Sequence, residues 1–286
     1  MHLKHLIDQP GKLPTIPKVA QQLMVSFGSD SVSVHQIALQ LAADPGLSAK
    51  LLRLANSAYF HFSGTVGTVE AAVQMLGFVM VRNLVLGSGL AVAYQSVQGM
   101  DLPQFWRYCR YSACAARWLA QRSGDDADLV FTVGLMHGIG QLQMHAVAPQ
   151  ATAALNLQLP VLAAARAQLE QQSLGFHHLD VAAELARVWN FPPPLVQALQ
   201  AVAAPLSAAE FSAVGALVHL GVWCARAEVL GLSSEERFAS YPALVARRLC
   251  LGTDWLPTDS ADGLSDPQKT MPALAELSAG LEAMFE

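Results

Sequence analysis

The chain has 286 residues, 53% of them hydrophobic and 14% charged, and its 17 basic against 22 acidic side chains leave a net charge near −5. This balance excludes a disordered signalling tail, a counterion-release drive towards DNA or RNA, and a polybasic patch for an acidic membrane surface. The length suits one large domain or two closely packed lobes, and two lobes are expected.

The first eight residues lack a continuous apolar run, and later apolar stretches are broken by Arg82-Asn83, Ser88 or His219. Neither a signal peptide nor a transmembrane helix is expected. Ser33-Val34-His35-Gln36 has the pattern of a capping box opening a helix to about Ala43. Asp44-Pro45 then supplies an N-cap and a first-turn proline for the next helix. That helix carries Leu47, Leu51, Leu54 and Ala55 on one face and Ser48, Lys50, Arg53 and Asn56 on the other. Thr68 can cap a helix running to Gly77, and the apolar stretch from Phe78 to Ala93 reads as a buried helix. Gly99, Asp101 and Pro103 mark a connector, and the lobe boundary is placed there.

Beyond it, helices are predicted over 105–121, 126–137, 161–172 and 180–190, the last stopped by Pro192-Pro193-Pro194. Residues 252–270 read as a loop and 272–285 as a closing helix. No segment alternates with the period of a strand, so the fold class is all-α. Cys109, Cys114, Cys224 and Cys250 show no C-x-x-C spacing and sit in apolar helical patterns. They are read as buried free thiols, which implies a reducing, cytoplasmic location.

The stretch from Phe131 to Gly140 holds His137 followed by Gly138 and has the outline of the helix end at which HD-type metal phosphohydrolases place a His-Asp pair. Asp44-Pro45-Gly46-Leu47-Ser48 through Asn56-Ser57-Ala58-Tyr59-Phe60 is a second block, and it resembles the most diagnostic helix of the HDOD family, a bacterial signalling module related to those enzymes. Leu13-Pro14-Thr15-Ile16-Pro17, Thr68 to Gly77 and Phe105 to Tyr108 are similar to further elements of that family. The match in order and spacing runs from about residue 13 to 205.

The resemblance implies a multi-helix HDOD fold: an N-terminal helical lobe over 13–98, packed on an HD-like lobe over 99–205. A C-terminal helical extension over 206–286 would contain the 252–270 loop. It also implies that the metal set is depleted. Tyr108 stands where the first metal-binding histidine of an HD enzyme would lie, Gly138 replaces the Asp, and Val202-Ala203 replace a His-His pair. His137 and His178 remain as relic metal candidates. Glu170, His177, His178 and Asp180 offer ligand-type residues in a short stretch, but adjacent residues on a helix do not face one point.

Each sharp reading has a plainer counterpart. His137 and His178 can cap or pack without any metal. Gly134, Gly138 and Gly140 are spaced like a weak phosphate loop, yet no strand precedes them and no Lys-Ser/Thr follows, so close helix packing explains them better. Trp106, Trp118, Trp189 and Trp223 read as core. Lys50, Arg53 and Asn56 are either a solvated face or a partner surface.

The expected function is a non-catalytic HDOD regulator acting through protein partners in a cyclic-dinucleotide, two-component or motility circuit, with no catalytic residues, no cofactor, no nucleic acid and no membrane insertion. The alternatives are a residual HD-type phosphohydrolase acting on a nucleotide or cyclic dinucleotide, and a sensor that binds a nucleotide without turnover.

Overall fold

The computed structural model describes residues 3–7, 33–60, 64–207, 210–256 and 269–285, apart from the side chains of His5 and Ala58. The family-like opening at 13–17 lies outside the described residues. Among those described, every regular element is helical, so the fold is all-α. The chain divides into two compact units, one formed by Met1–Asp8 with Val97–Leu277 and the other by Gln9–Ser96 with Ser278–Glu286.

In the second of these, α2 (Val34–Ala42) opens with the Ser33–Gln36 capping box, and α3 (Pro45–Ala55) opens where the Asp44 carboxylate accepts from the nitrogens of Gly46 and Leu47. Both helices pack on α4 (Val69–Ala93). Leu47, Leu51 and Leu54 are buried, each contributing roughly 1.5–3 kcal/mol by leaving water. Thr68 caps α4, and Gly77, at φ 74°, breaks its helical backbone where the sequence places the end of one helix and the start of another.

By length and composition α4 could cross a membrane, but 61% of its most apolar window is buried within the protein. Ser88, inside it, donates to the Met284 carbonyl at 3.3 Å. The closing helix expected over 272–285 is divided into α15 (Leu274–Leu277), in the other unit, and a 3-10 turn at Leu281–Met284. Gly280, at φ 93°, makes the break, and its Cα faces Ser57 so closely that a side chain there has no room.

The larger unit begins with α1 (Leu3–Ile7), which packs on α7 (Ile139–Val147) and α10 (His178–Val188), with Gln143 Nε2 donating to the Leu6 carbonyl at 2.7 Å. Its centre is α5 (Leu102–Ser123), capped by Asp101 and closed by Gly124 in the left-handed region. Along α5 lie α6 (Ala127–Met136) and α12 (Ala213–Val229). A Cβ on Gly221 of α12 would stand 2.5 Å from the Ser112 carbonyl of α5, so only glycine allows this crossing. The remaining helices are α8 (Pro149–Asn156), α9 (Arg166–Leu174), α11 (Pro193–Ala201), α13 (Ser234–Ala239) and α14 (Ala243–Arg248).

The helix expected from 161 begins instead at Arg166. Residues 160–165 form turns, and their neighbouring carbonyls serve side chains: Arg166 Nη1 donates to Leu159 at 2.7 Å and Arg226 Nε to Leu162 at 2.9 Å. Cys250 also departs from expectation. Three thiols are buried, but Cys250 is exposed. It sits just past α14 at φ 55°, where the Leu251 nitrogen reaches back to the Ala246 carbonyl and closes the helix end.

Candidate functional site

The larger unit encloses a cavity of about 170 Å³. Tyr108 from α5, His137 and Gly138 from the α6–α7 junction, His178 from the start of α10, and Val202 and Ala203 after α11 all line it. The positions that the resemblance aligns with the metal ligands of an HD enzyme therefore converge in space. Close backbone approach brings them there. A Cβ on Gly134 would stand 2.7 Å from Ala113 Cα, and one on Gly140 would overlap the His178 carbonyl. The glycines serve helix packing, as the sequence suggested, and Gly140 is what seats α7 against the residue that carries a relic imidazole.

Three histidines on the cavity wall are each held through Nδ1. His137 Nδ1 donates to the Gly134 carbonyl at 2.6 Å, His219 Nδ1 to the Val202 carbonyl at 2.8 Å, and His178 Nδ1 lies 2.7 Å from Glu170 Oε2. Burial pushes His137 down to about 3, against the opposing pull of the Gly134 carbonyl, so the ring is neutral with its Nε2 lone pair free. Tyr108 packs edge-on to it, ring centroids 5.1 Å apart. Burial raises the Tyr108 pKa while the nearby positive charge of Arg226 lowers it, and the phenol stays protonated at neutral pH.

Arg226 is the residue that sequence reasoning missed. It lies on one stripe of α12 with His219, Val222 and Trp223, at the i, i+3, i+4, i+7 spacing of a single helix face, and all four line the cavity. A lone arginine near the end of a mostly apolar helix, seven residues after a histidine, was the available signal. Its charge acts on Tyr108, His137 and His219 together.

Glu170, behind the wall, joins Arg166 and His178 of the wall in one network. Glu170 Oε1 accepts from Gln141 Nε2 at 2.8 Å and Arg166 Nε at 2.9 Å, and Oε2 accepts from the His178 backbone nitrogen at 2.8 Å. Burial alone would raise this carboxyl, but His178 and Arg166 outweigh it and hold the carboxyl at about 2. His177 and Asp180, the other members of the short ligand-type stretch, instead close the capping box of α10 on each other. Lys50, Arg53 and Asn56 belong to the other unit. Lys50 Nζ reaches Ser88 Oγ at 3.3 Å, Asn56 clamps Val66 through both backbone atoms, and Arg53 is exposed.

The HD relationship implies a divalent metal, and the donors here do not suit one. Among the described residues that line the cavity none is Asp or Glu, while two guanidiniums, Arg166 and Arg226, do line it. A hard or borderline cation would meet like charge without carboxylate oxygen to offset it.

A model of the HDOD domain matches residues 13–205. An uncharacterized protein of Treponema pallidum (strain Nichols) is 23% identical over 201 residues, covering 68% of this chain and 38% of that protein, so the chain spans well under half of that curated relative. A presumed phosphohydrolase of known structure from Shewanella amazonensis SB2B is 28% identical with a TM-score of 0.75, covering 99% of this chain and 98% of its own. A presumed signal transduction protein from Marinobacter aquaeolei VT8, 22% identical with a TM-score of 0.62 over 86% of this chain and 62% of its own, shares the fold. With two thirds of its length matched in order, and the diagnostic helix and the remnant histidine junction inside the match, the chain belongs to the HDOD family.

Proposed function

We propose that this HDOD chain is a non-catalytic regulator that acts through protein partners in a signalling circuit of the cyclic-dinucleotide, two-component or motility kind. The observation that carries the reading is Arg226. A guanidinium held by the Leu162 carbonyl stands among the residues aligned with relic ligands, and no acidic side chain lines that cavity among the described residues. A metal hydrolase needs a bound cation to generate hydroxide at neutral pH. An arginine supplies charge but no exchangeable coordination position.

The test is metal content, by plasma mass spectrometry, of tag-free protein purified without chelator, together with turnover of phosphodiester and phosphomonoester substrates. Less than about a tenth of a metal per chain and no turnover are expected. Near-stoichiometric metal that is lost in His137→Ala would overturn the reading. It would favour the residual phosphohydrolase, for which the three imidazoles on the wall are the supporting observation.

A further inference from the structure

We propose that the cavity is a metal-independent binding site for a small monocarboxylate with an apolar body, its two carboxylate oxygens held by the guanidinium of Arg226 and the phenol hydroxyl of Tyr108. The inference rests on the reading that no metal occupies this place.

Arg226 lines the cavity and is only partly buried. Its Nε donates to the Leu162 carbonyl at 2.9 Å, which fixes the plane of the group and leaves the edge formed by Nη1 and Nη2 for another acceptor. Among the described residues Arg226 has no carboxylate partner. Arg166, the other guanidinium of the wall, differs in each respect. It is 1% exposed, its Nε lies on Glu170 Oε1 at 2.9 Å and its Nη1 on the Leu159 carbonyl at 2.7 Å, so its charge is already balanced. Tyr108 supplies the second donor. It lines the same cavity, burial keeps its hydroxyl protonated, and the Arg226 charge acts on it, so an O–H stands beside the guanidinium. Burial also lowers His137 and His219, each with Nδ1 on a carbonyl, and these two rings add no positive charge at neutral pH.

One uncompensated charge calls for a monoanion. A flat guanidinium edge beside a hydroxyl satisfies the two coplanar oxygens of a carboxylate. The further oxygens of a phosphoryl group would meet Phe105, Val161, Leu162, Val222 and Trp223, against which a polar atom loses its hydration. The same side chains suit the apolar body of an acid. Size agrees: the cavity is about 170 Å³, and one on the order of 150 Å³ holds a benzene-sized molecule. A short aliphatic or single-ring acid fits those dimensions, and such a ligand would give the regulator a small-molecule input.

The experiment is calorimetric titration of the full chain, freed of metal with chelator, against butyrate, benzoate, their neutral amides and inorganic phosphate. Saturable binding of at least one of the two acids is expected, with its amide and phosphate each roughly tenfold weaker or more. Arg226→Gln is expected to lose at least roughly tenfold in affinity for that acid, because the charge-assisted pair is gone. Binding of neither acid, equal binding of acid and amide, equal or tighter binding of phosphate, or unchanged affinity in Arg226→Gln would overturn the proposal. Should that variant not fold, the acid-to-amide ratio of the wild-type chain decides. Stoichiometric metal in the untreated protein would instead defeat the reading on which the proposal rests.

Discussion

Glu170 Oε2 accepts from both the backbone nitrogen and Nδ1 of His178, at 2.8 and 2.7 Å, so one buried oxygen fixes the start of α10 and the orientation of its first side chain. Its other oxygen neutralises Arg166, which is itself 1% exposed. Replacing Glu170 by Gln removes the charge and turns an NH₂ group towards donors, leaving Arg166 buried and unpaired. Urea unfolding is expected to show a loss of about 3–5 kcal/mol, the usual cost of breaking a buried pair from one side. The double variant Arg166→Met with Glu170→Gln should be less destabilised than the sum of the singles.

Acid stability follows from the same wall. Glu170 is held at about 2 against a usual 4.5, so the unfolded chain takes up a proton below pH 4.5 that the folded chain refuses. The stability it contributes is present above pH 4.5 and is lost as pH falls towards 2. His137, pushed down to about 3 from 6.5, works earlier: its contribution is complete above pH 6.5 and is lost as pH falls towards 3. Stability measured by denaturant should therefore decline from about pH 6.5 downward. In His137→Gln the decline between about pH 6 and 4 should be shallower by up to about 1.4 kcal/mol per pH unit.

Thiol chemistry should be selective. Cys109 and Cys114 of α5 and Cys224 of α12 are buried, and burial pushes Cys224 up to about 12 and Cys109 higher still. Cys250 is exposed at the end of α14. Mass spectrometry after brief alkylation under native conditions is expected to find modification at Cys250 alone, with the other three reacting only in denaturant.

Restoring the missing acid should not restore a metal. A Cβ at Gly138 would lie 2.8 Å from Cys109 Sγ and 2.8 Å from Phe105 Cζ, both on α5. Gly138→Asp should destabilise the chain by about 1–3 kcal/mol through crowding, and metal content should stay below about a tenth per chain. A variant that takes up metal and melts at the wild-type temperature would contradict this account.

Local rules carried much of the architecture. Ser33, Asp44, Thr68 and Asp126 cap the helices that their positions suggested, because a cap is decided by a few neighbouring residues. The Val161 to Ala165 turns were not legible, because what holds them turned is a side chain sixty residues later, Arg226 on the Leu162 carbonyl. Cys250 misled for a related reason: its apolar neighbours suggested burial, but its backbone is used to end a helix. At the cavity, Tyr108, Gly138, Val202 and Ala203, which the resemblance aligns with metal-ligand positions, are all found on the wall. The gain at Arg226 could not be read from the residues, because no motif marks a replacement that arrives from another helix.

The family pattern ends at residue 205, whereas His219, Val222, Trp223 and Arg226 come from α12, beyond it. One of the two guanidiniums and one of the three imidazoles that line the cavity are therefore written in a segment that the shared pattern does not specify. Two chains with the same matched region could present opposite charge to a ligand simply by carrying a different residue where Arg226 stands. Grafting α12 between relatives would be the direct way to exchange what the common scaffold recognises.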